Sequence, residues 1–193
     1  MKILLPFLIL AMAAPVRTQP PAPLPERSVT DETATITSPR NAVMDVAKST
    51  LGWREATGKN DGPQIDRILS TVGLQGSGAP YCAAFCVYSY EEAGVGSKIP
   101  HSAWSPDLVK SPTWLKGRGE TPRPADVFGI FFASKGRVAH VGLVEKWGNG
   151  TAVTIEGNTS PQAASGSEAD RDGEGIHRKW RLTSTIYAVR SFL

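Results

Sequence analysis

The sequence predicts an α+β domain in which N-terminal helices pack on a mainly antiparallel β-sheet. Three observations support this class. Apolar residues recur at helical spacing between residues 39 and 93, β-branched and aromatic runs replace them from residue 126 onward, and glycine turns separate those runs. Because helices come first and strands second, the strands should pair with their neighbours in antiparallel order.

Three helices are predicted in the first half of this domain. Ser38 followed by Pro39 is typical of a helix start, because serine caps free N–H groups and proline fits the first turn. This first helix should end at Gly52. Apolar residues at helical spacing predict a second helix over residues 65–72 and a third over residues 81–93, and a glycine follows each.

Four strands are predicted in the second half, after an irregular segment over residues 95–124 that contains five prolines. The stretch WGNGT is the strongest hairpin signal, since Asn-Gly favours a tight turn between strands. The four strand-like runs are DVFGIFF at 126–132, RVAHVGLVEKW at 137–147, TAVTIEGN at 151–158 and STIYAVRSFL at 184–193.

The composition fits one globular domain plus some extra length. Of the 193 residues, 40% are hydrophobic and 20% are charged, which suits a packed core rather than a disordered chain. The formal charge of +3 is mild and the basic residues are scattered, which argues against a nucleic-acid partner. A weakly basic surface suits an anionic polymer. We expect a monomer.

The N-terminus is typical of an export signal. Lys2 precedes an apolar run from residue 3 to 11, and Ala11-Met12-Ala13 is a small-x-small cleavage site, so a signal peptide is predicted over residues 1–13. The alternative, a stable membrane anchor, is disfavoured because the run is too short to span a bilayer. Residues 14–38 are predicted to be a flexible Pro/Thr-rich tether, and residues 39–193 the folded domain. We therefore expect a secreted or periplasmic protein.

The chain has two cysteines, Cys82 and Cys86, four residues apart. A disulfide between them would distort the predicted helix, because both Cβ atoms point the same way along it. A zinc site needs four ligands, and no further Cys or His lies at a matching spacing, so neither a metal nor a cofactor is expected. Cys86 is interpreted as a core residue. Cys82 stands at a helix start, where the helix dipole favours a thiolate, so it is either a nucleophile or a second core residue.

A thiol nucleophile needs a base, and the chain has three histidines. His101 lies in the irregular segment, and His177 is flanked by charges and should be exposed. His140 interrupts an apolar strand, and the small neighbours Ala139 and Gly142 leave room for a substrate or another backbone. It is the candidate base, with a buried structural histidine as the alternative.

The strand after the hairpin supplies two polar residues, Glu156 and Asn158. If residues 148–150 form a three-residue loop, position 140 lies opposite 158 and position 142 opposite 156. Alternation along the strands then puts His140, Glu156 and Asn158 on one face, whereas a two-residue loop would separate them. A carboxylate or amide beside an imidazole fixes its tautomer. The pattern therefore predicts a nucleophile, a base and an orienting residue.

Four segments, in order, carry a resemblance to a known family: GPQIDRILSTVGLQGSGAPYCAAFCVYSYEEAGV, RPADVFGIF, AHVGLVEKW and VTIEGNTS. With these segments, from about residue 40 to the C-terminus, the sequence resembles the CHAP domain, a cysteine, histidine-dependent amidohydrolase/peptidase of the papain-like cell-wall peptidase superfamily. The resemblance implies a papain-like α+β fold that cleaves amide bonds in the stem peptides of bacterial peptidoglycan. Carried over by motif, the nucleophile is Cys82, the base is His140, and the orienting residues are Glu156 and Asn158.

Two departures from the family pattern matter. Ala125-Asp126 stands where the family commonly has Gly-Asp, which is tolerated if the backbone φ at Ala125 is negative. The loop before Cys82 carries no carboxylate, so calcium is not expected. The pattern does not select between an amidase and an endopeptidase. Two other functions stay open: a non-catalytic wall-binding module, and a thiol acyltransferase on the same fold.

Overall fold

The structure is a computed structural model that describes residues 37–162, 165 and 167–193. The predicted signal peptide over residues 1–13 and all but the last two residues of the predicted tether lie outside this part of the chain. Within it, no helix is long and apolar enough to cross a bilayer.

The three predicted helices are confirmed. They are α1 (Pro39–Ser49), α2 (Pro63–Ser70) and α3 (Cys82–Glu92). Ser38 caps α1 as expected, because its hydroxyl accepts a hydrogen bond from the N–H of Asn41 (3.3 Å). Two further short helices, α4 (Ser105–Leu108) and α5 (Glu168–Arg171), were not predicted.

The described strands form one seven-stranded sheet, and every pairing in it is antiparallel, so the predicted α+β class is confirmed. Its order is β2-β1-β7-β3-β4-β5-β6. A small hairpin, β1–β2, lies in the segment expected to be irregular, and β6 was not predicted. The strands are β1 (Trp114–Leu115), β2 (Arg118–Gly119), β3 (Val127–Phe132), β4 (Arg137–Trp147), β5 (Thr151–Thr159), β6 (Gly175–Leu182) and β7 (Ala188–Arg190).

The main core lies between α3 and the centre of the sheet. Helix α3 is buried from Cys82 to Tyr90 and packs against β4 and β5. The approach is close at Gly157, where an added Cβ would lie 2.8 Å from the Cβ of Phe85. Any side chain at position 157 would therefore push α3, and Cys82 with it, away from the sheet.

The β4–β5 hairpin reaches the predicted register by a different route. The predicted three-residue loop is wrong: the N–H of Gly148 bonds the carbonyl of Thr151 (2.9 Å), which leaves a two-residue turn. Alone, that turn would put the catalytic candidates on opposite faces. A bulge at Glu145 adds the missing residue, so that Leu143 pairs with Ile155 as the predicted register requires.

Ala125 does not meet the condition of a negative φ under which alanine would be tolerated at this position. Its φ is +70°, in the left-handed region, where a Cβ costs roughly 1–2 kcal/mol. Neighbouring bonds hold this conformation: the N–H of Ala125 donates to the carbonyl of Val144 (2.9 Å), and its own carbonyl accepts from the hydroxyl of Tyr90 (2.8 Å). The next residue, Asp126, pairs with Arg40 of α1 (2.7 Å), which ties the first helix to the start of β3.

Candidate active site

Cys82 is the first residue of α3, and its side chain is buried at the helix N-terminus. Both Cys82 and Cys86 are free thiols, as predicted. Cys86 lies one turn further along α3, and burial raises the pKa of its thiol well above the ordinary value. The two thiols therefore differ: Cys86 is a neutral core residue, and Cys82 stands where the first N–H groups of the helix have no partner within the helix.

The surroundings of Cys82 favour its thiolate. Burial raises the pKa of Cys82, but the neighbouring imidazole of His140 and a hydrogen bond with Ser105 outweigh that effect and lower the pKa below its ordinary value. The hydroxyl Oγ of Ser105 lies 3.5 Å from Sγ of Cys82. Ser105 is the first residue of α4, and no sequence pattern singled it out.

His140 is held by Glu156. Nε2 of the imidazole donates to Oε2 of the carboxylate at 2.8 Å, and both side chains are fully buried. Nδ1 of His140 is buried without a hydrogen-bond partner among the described residues, so it is the nitrogen left to exchange a proton with Cys82. Burial lowers the pKa of His140, but its interactions with Cys82 and Glu156 prevail and raise it to about 9.

The small residue Gly142 makes the His140–Glu156 pair possible. A Cβ at position 142 would lie 2.8 Å from Cγ of Glu156 and 2.8 Å from a ring carbon of Phe128. The small neighbours of His140 were predicted to leave room, and the side chain of Glu156 fills it. Gly142 therefore determines the position of Glu156.

Asn158, the fourth candidate, is placed differently. A bulge in β5 separates the pairing of Glu156 with His177 from that of Thr159 with Gly175, and Asn158 lies in it with φ +57°. Its Nδ2 donates to the carbonyl of Arg171 (3.0 Å), and no hydrogen bond joins it to His140 in the part of the chain that the structure describes. The structure thus brings Cys82, His140 and Glu156 together and leaves Asn158 out.

Arg181 is a functional candidate that the sequence did not reveal. From β6 its guanidinium forms a two-point ion pair with Glu156, in which Nε donates to Oε1 at 2.6 Å and Nη2 donates to Oε2. Nη1 and Nη2 also donate to Asp170 (3.1 and 2.7 Å), and Asp170 accepts a further bond from Lys179 (2.6 Å).

This network explains the state of Glu156. Burial raises the pKa of Glu156, but Arg181 first and His140 second lower it well below its usual range. The carboxylate is therefore charged at every pH at which the protein is expected to work. A charged carboxylate stabilises the imidazolium form of His140.

The other two histidines make different contacts. His101 is exposed and pairs with Glu91 (2.6 Å). His177, expected to be exposed, is half-buried because β6 is part of the sheet, and burial lowers its pKa. His140 is the histidine that changes the pKa of Cys82.

Cys82 opens into a cleft of about 150 Å³. Trp104, Ser105, Arg137 and Arg171 line it together with small apolar residues. A larger cleft of about 600 Å³ is lined by Trp114, Phe131 and Tyr187, among others, and neither Cys82 nor His140 reaches it. The chemistry therefore belongs to the smaller cleft.

Among the described residues, no group of three or more His, Cys, Asp or Glu side chains is placed to hold a metal ion. No protein-family model matches the chain, and no curated protein matches its sequence. The function is therefore inferred from the chemistry of the site and from the motifs in the sequence.

Proposed function

We propose that this chain is an exported thiol hydrolase of the CHAP type, with a papain-like fold, that cleaves amide bonds of bacterial peptidoglycan. The observation that carries the proposal is the chain of contacts from Cys82 through His140 to Glu156. A buried thiol whose pKa is lowered by an imidazole, itself held by a carboxylate, is the arrangement that nucleophilic acyl transfer requires.

In the first step the thiolate of Cys82 attacks the carbonyl carbon of the scissile amide. The carbonyl oxygen becomes an oxyanion in the tetrahedral intermediate. Backbone N–H groups at the start of α3, including that of Cys82, are free to donate to this oxyanion. Because these donors are fixed before the reaction, they stabilise the charge as it forms.

In the second step His140 acts as an acid and then as a base. Nδ1 of the imidazolium protonates the leaving amine, the C–N bond breaks, and a thioester with Cys82 remains. The neutral imidazole then takes a proton from water, whose oxygen attacks the thioester. The acid product leaves, and Cys82 returns to the thiolate beside a protonated His140. Glu156 stays charged throughout.

Peptidoglycan as the substrate is supported by the order of the four CHAP-like segments and by the predicted export signal. A stem peptide offers an extended amide chain that a narrow cleft next to a nucleophile can bind. The amidase and endopeptidase alternatives differ only in the bond that is placed at Cys82.

The decisive experiment is digestion of purified sacculi, followed by mass spectrometry of the soluble fragments. Wild-type protein should release fragments with new amine and carboxyl termini, and their masses identify the bond. Cys82→Ala should release none. Cys86→Ala is the matched control, because it removes the neighbouring thiol from the same helix and should retain activity.

Each other result points to a different function. Binding to sacculi by all three proteins without fragments would indicate a wall-binding module. Fragments joined to an added amine, rather than hydrolysed, would indicate a thiol acyltransferase, because the same thioester would then be attacked by the amine. No fragments and no binding under any tested pH would overturn the proposal.

A further inference from the structure

One of the residues that line the cleft beside Cys82 is Arg137. Arg137 is the first residue of β4, three positions before His140, and its guanidinium carbon lies 3.9 Å from the ring centroid of Trp104. Trp104 immediately precedes Ser105 and is 50% exposed. Stacking on an indole face holds a guanidinium by a cation–π interaction and leaves its N–H edge open to a ligand.

Arg137 keeps most of its hydrogen-bonding capacity. Nη1 donates to the carbonyl of Val138 (3.0 Å), and no carboxylate of a described residue lies within salt-bridge distance of Arg137. Arg40 and Arg181, which are also half-buried or buried, are each paired with a carboxylate. Among the residues that the structure describes, the lining of the cleft contains Arg137 and Arg171 and no acidic residue.

We propose that Arg137, stacked on Trp104, binds a carboxylate of the substrate next to the amide that Cys82 attacks. A planar guanidinium donates two parallel hydrogen bonds to a carboxylate, which gives both orientation and specificity. The substrate class is then an amide with a free acidic group on a residue adjoining the scissile bond. This inference rests on the proposed function and narrows its substrate.

A pair of small reagents tests the subsite without requiring hydrolysis. Iodoacetate and iodoacetamide alkylate a thiolate by the same step, in which an S–C bond forms and iodide leaves, but only iodoacetate carries a carboxylate. The ratio of their rates at Cys82 therefore measures the preference of the cleft for an anion. Mass spectrometry assigns the alkylated residue.

The expected result is a fall in this ratio when Arg137 loses its charge. Arg137→Gln should lower the iodoacetate-to-iodoacetamide ratio about five- to tenfold, the effect of one partly exposed charge-assisted pair. Arg137→Lys should give an intermediate ratio, because it keeps the charge and loses the planar fork. Arg118→Gln, on the exposed strand β2, removes the same net charge away from the cleft and should leave the ratio unchanged.

An equilibrium measurement complements the rates. The peptides N-acetyl-Ala-Glu-Ala-amide and N-acetyl-Ala-Gln-Ala-amide, titrated into the Cys82→Ser protein, differ only in the acidic group. The glutamate peptide should bind about fivefold or more tightly, and Arg137→Gln in the same background should abolish the difference. Equal binding of the two peptides, or no binding of either, together with an unchanged alkylation ratio, would overturn the inference.

The two proposals fail in different ways. If the protein releases peptidoglycan fragments but the alkylation ratio does not change in Arg137→Gln, the proposed anion subsite is wrong and the proposed hydrolase activity stands. If the ratio depends on Arg137 but the protein does not cut sacculi, the anion subsite stands and peptidoglycan as the substrate is rejected.

Discussion

Arg181 and Glu156 form a buried two-point ion pair, and the same carboxylate accepts the hydrogen bond from Nε2 of His140. One charged group thus serves the fold and the candidate chemistry together. If the carboxylate moved, His140 would lose its orientation, and Arg181 would lose half of its charge compensation. Asp170, which also bonds Arg181, keeps the guanidinium in place from a second direction.

Removing the charge of Arg181 should destabilise the protein strongly. Arg181→Met leaves Glu156 and Asp170 buried with too little compensation, and breaking a buried pair in this way costs about 3–5 kcal/mol. Urea unfolding measures the loss. Arg178→Met, on the same strand but in a more exposed pair with Glu145, is the control and should cost less than about 1 kcal/mol. Equal losses for the two variants would show that the network does not stabilise the fold.

Replacing Glu156 by glutamine should separate its two effects on His140, which are the orientation of the ring and the stabilisation of the imidazolium by a negative charge. Glu156→Gln keeps an oxygen that can accept from Nε2 of His140, but it no longer stabilises the imidazolium, so the pKa of His140 should fall and that of Cys82 should rise. We expect hydrolysis to drop roughly a hundredfold or more. The control is Asn158→Gly, which retains a positive φ and removes a side chain that bonds Arg171 instead. A larger effect from Asn158→Gly would make Asn158 the orienting residue.

The pH dependence should have two limbs. The productive pair is a thiolate on Cys82 beside a protonated His140. Activity therefore rises as Cys82 loses its proton, at a pH below the ordinary cysteine value, and falls as His140 loses its proton near pH 9. Initial rates of sacculus digestion between pH 4 and 10 measure both limbs. An activity that rises without a maximum up to pH 10 would contradict a thiolate–imidazolium pair.

The hydroxyl of Ser105 should contribute to the reactivity of Cys82. It lies 3.5 Å from the sulfur and stabilises the thiolate by hydrogen bonding. Ser105→Ala should raise the pKa of Cys82 and slow its alkylation by iodoacetamide near neutral pH about three- to tenfold, the size of one hydrogen bond. Alkylation rate against pH is the readout, because a purely structural role would lower stability without moving the titration. An unmoved titration would exclude Ser105 from the site.

Local signals made part of this architecture predictable. Proline at the start of α1, apolar residues at helical spacing and glycine after a helix end are signals that act over a few residues. Helices α1, α2 and α3 therefore follow from the sequence, and the position of Cys82 follows with them. The register of the β4–β5 hairpin was also predicted, yet the physical route to it was not. The bulge at Glu145 depends on packing across the whole sheet, and the sequence of the turn does not indicate it.

Strand β6 shows why the rest could not be predicted. Its alternation is inverted: Trp180 is 73% exposed and Leu182 is exposed, while Lys179 and Arg181 point inward. A prediction that buries the apolar residues would therefore place the wrong face of β6 against the core. The inversion is stable only because Lys179 and Arg181 meet buried carboxylates, Asp170 of α5 and Glu156 of β5, and Glu156 lies 25 residues before Arg181. Arg181 therefore becomes recognisable only once the strands are paired.

Ala125 offers a stabilising substitution that also tests the backbone. Its φ of +70° lies in the left-handed region that glycine adopts without a steric penalty. Ala125→Gly should relieve more strain than it adds in unfolded-state entropy, so we expect the free energy of unfolding to rise by up to about 1 kcal/mol and the midpoint of thermal unfolding by a few degrees. Ala133→Gly, at an exposed position with an ordinary φ, is the matched control and should lower stability. Thermal and urea unfolding of the two variants compare the same chemical change in two backbone conformations. A loss of stability in both would mean that the buried methyl group of Ala125 stabilises the fold by more than its left-handed backbone costs.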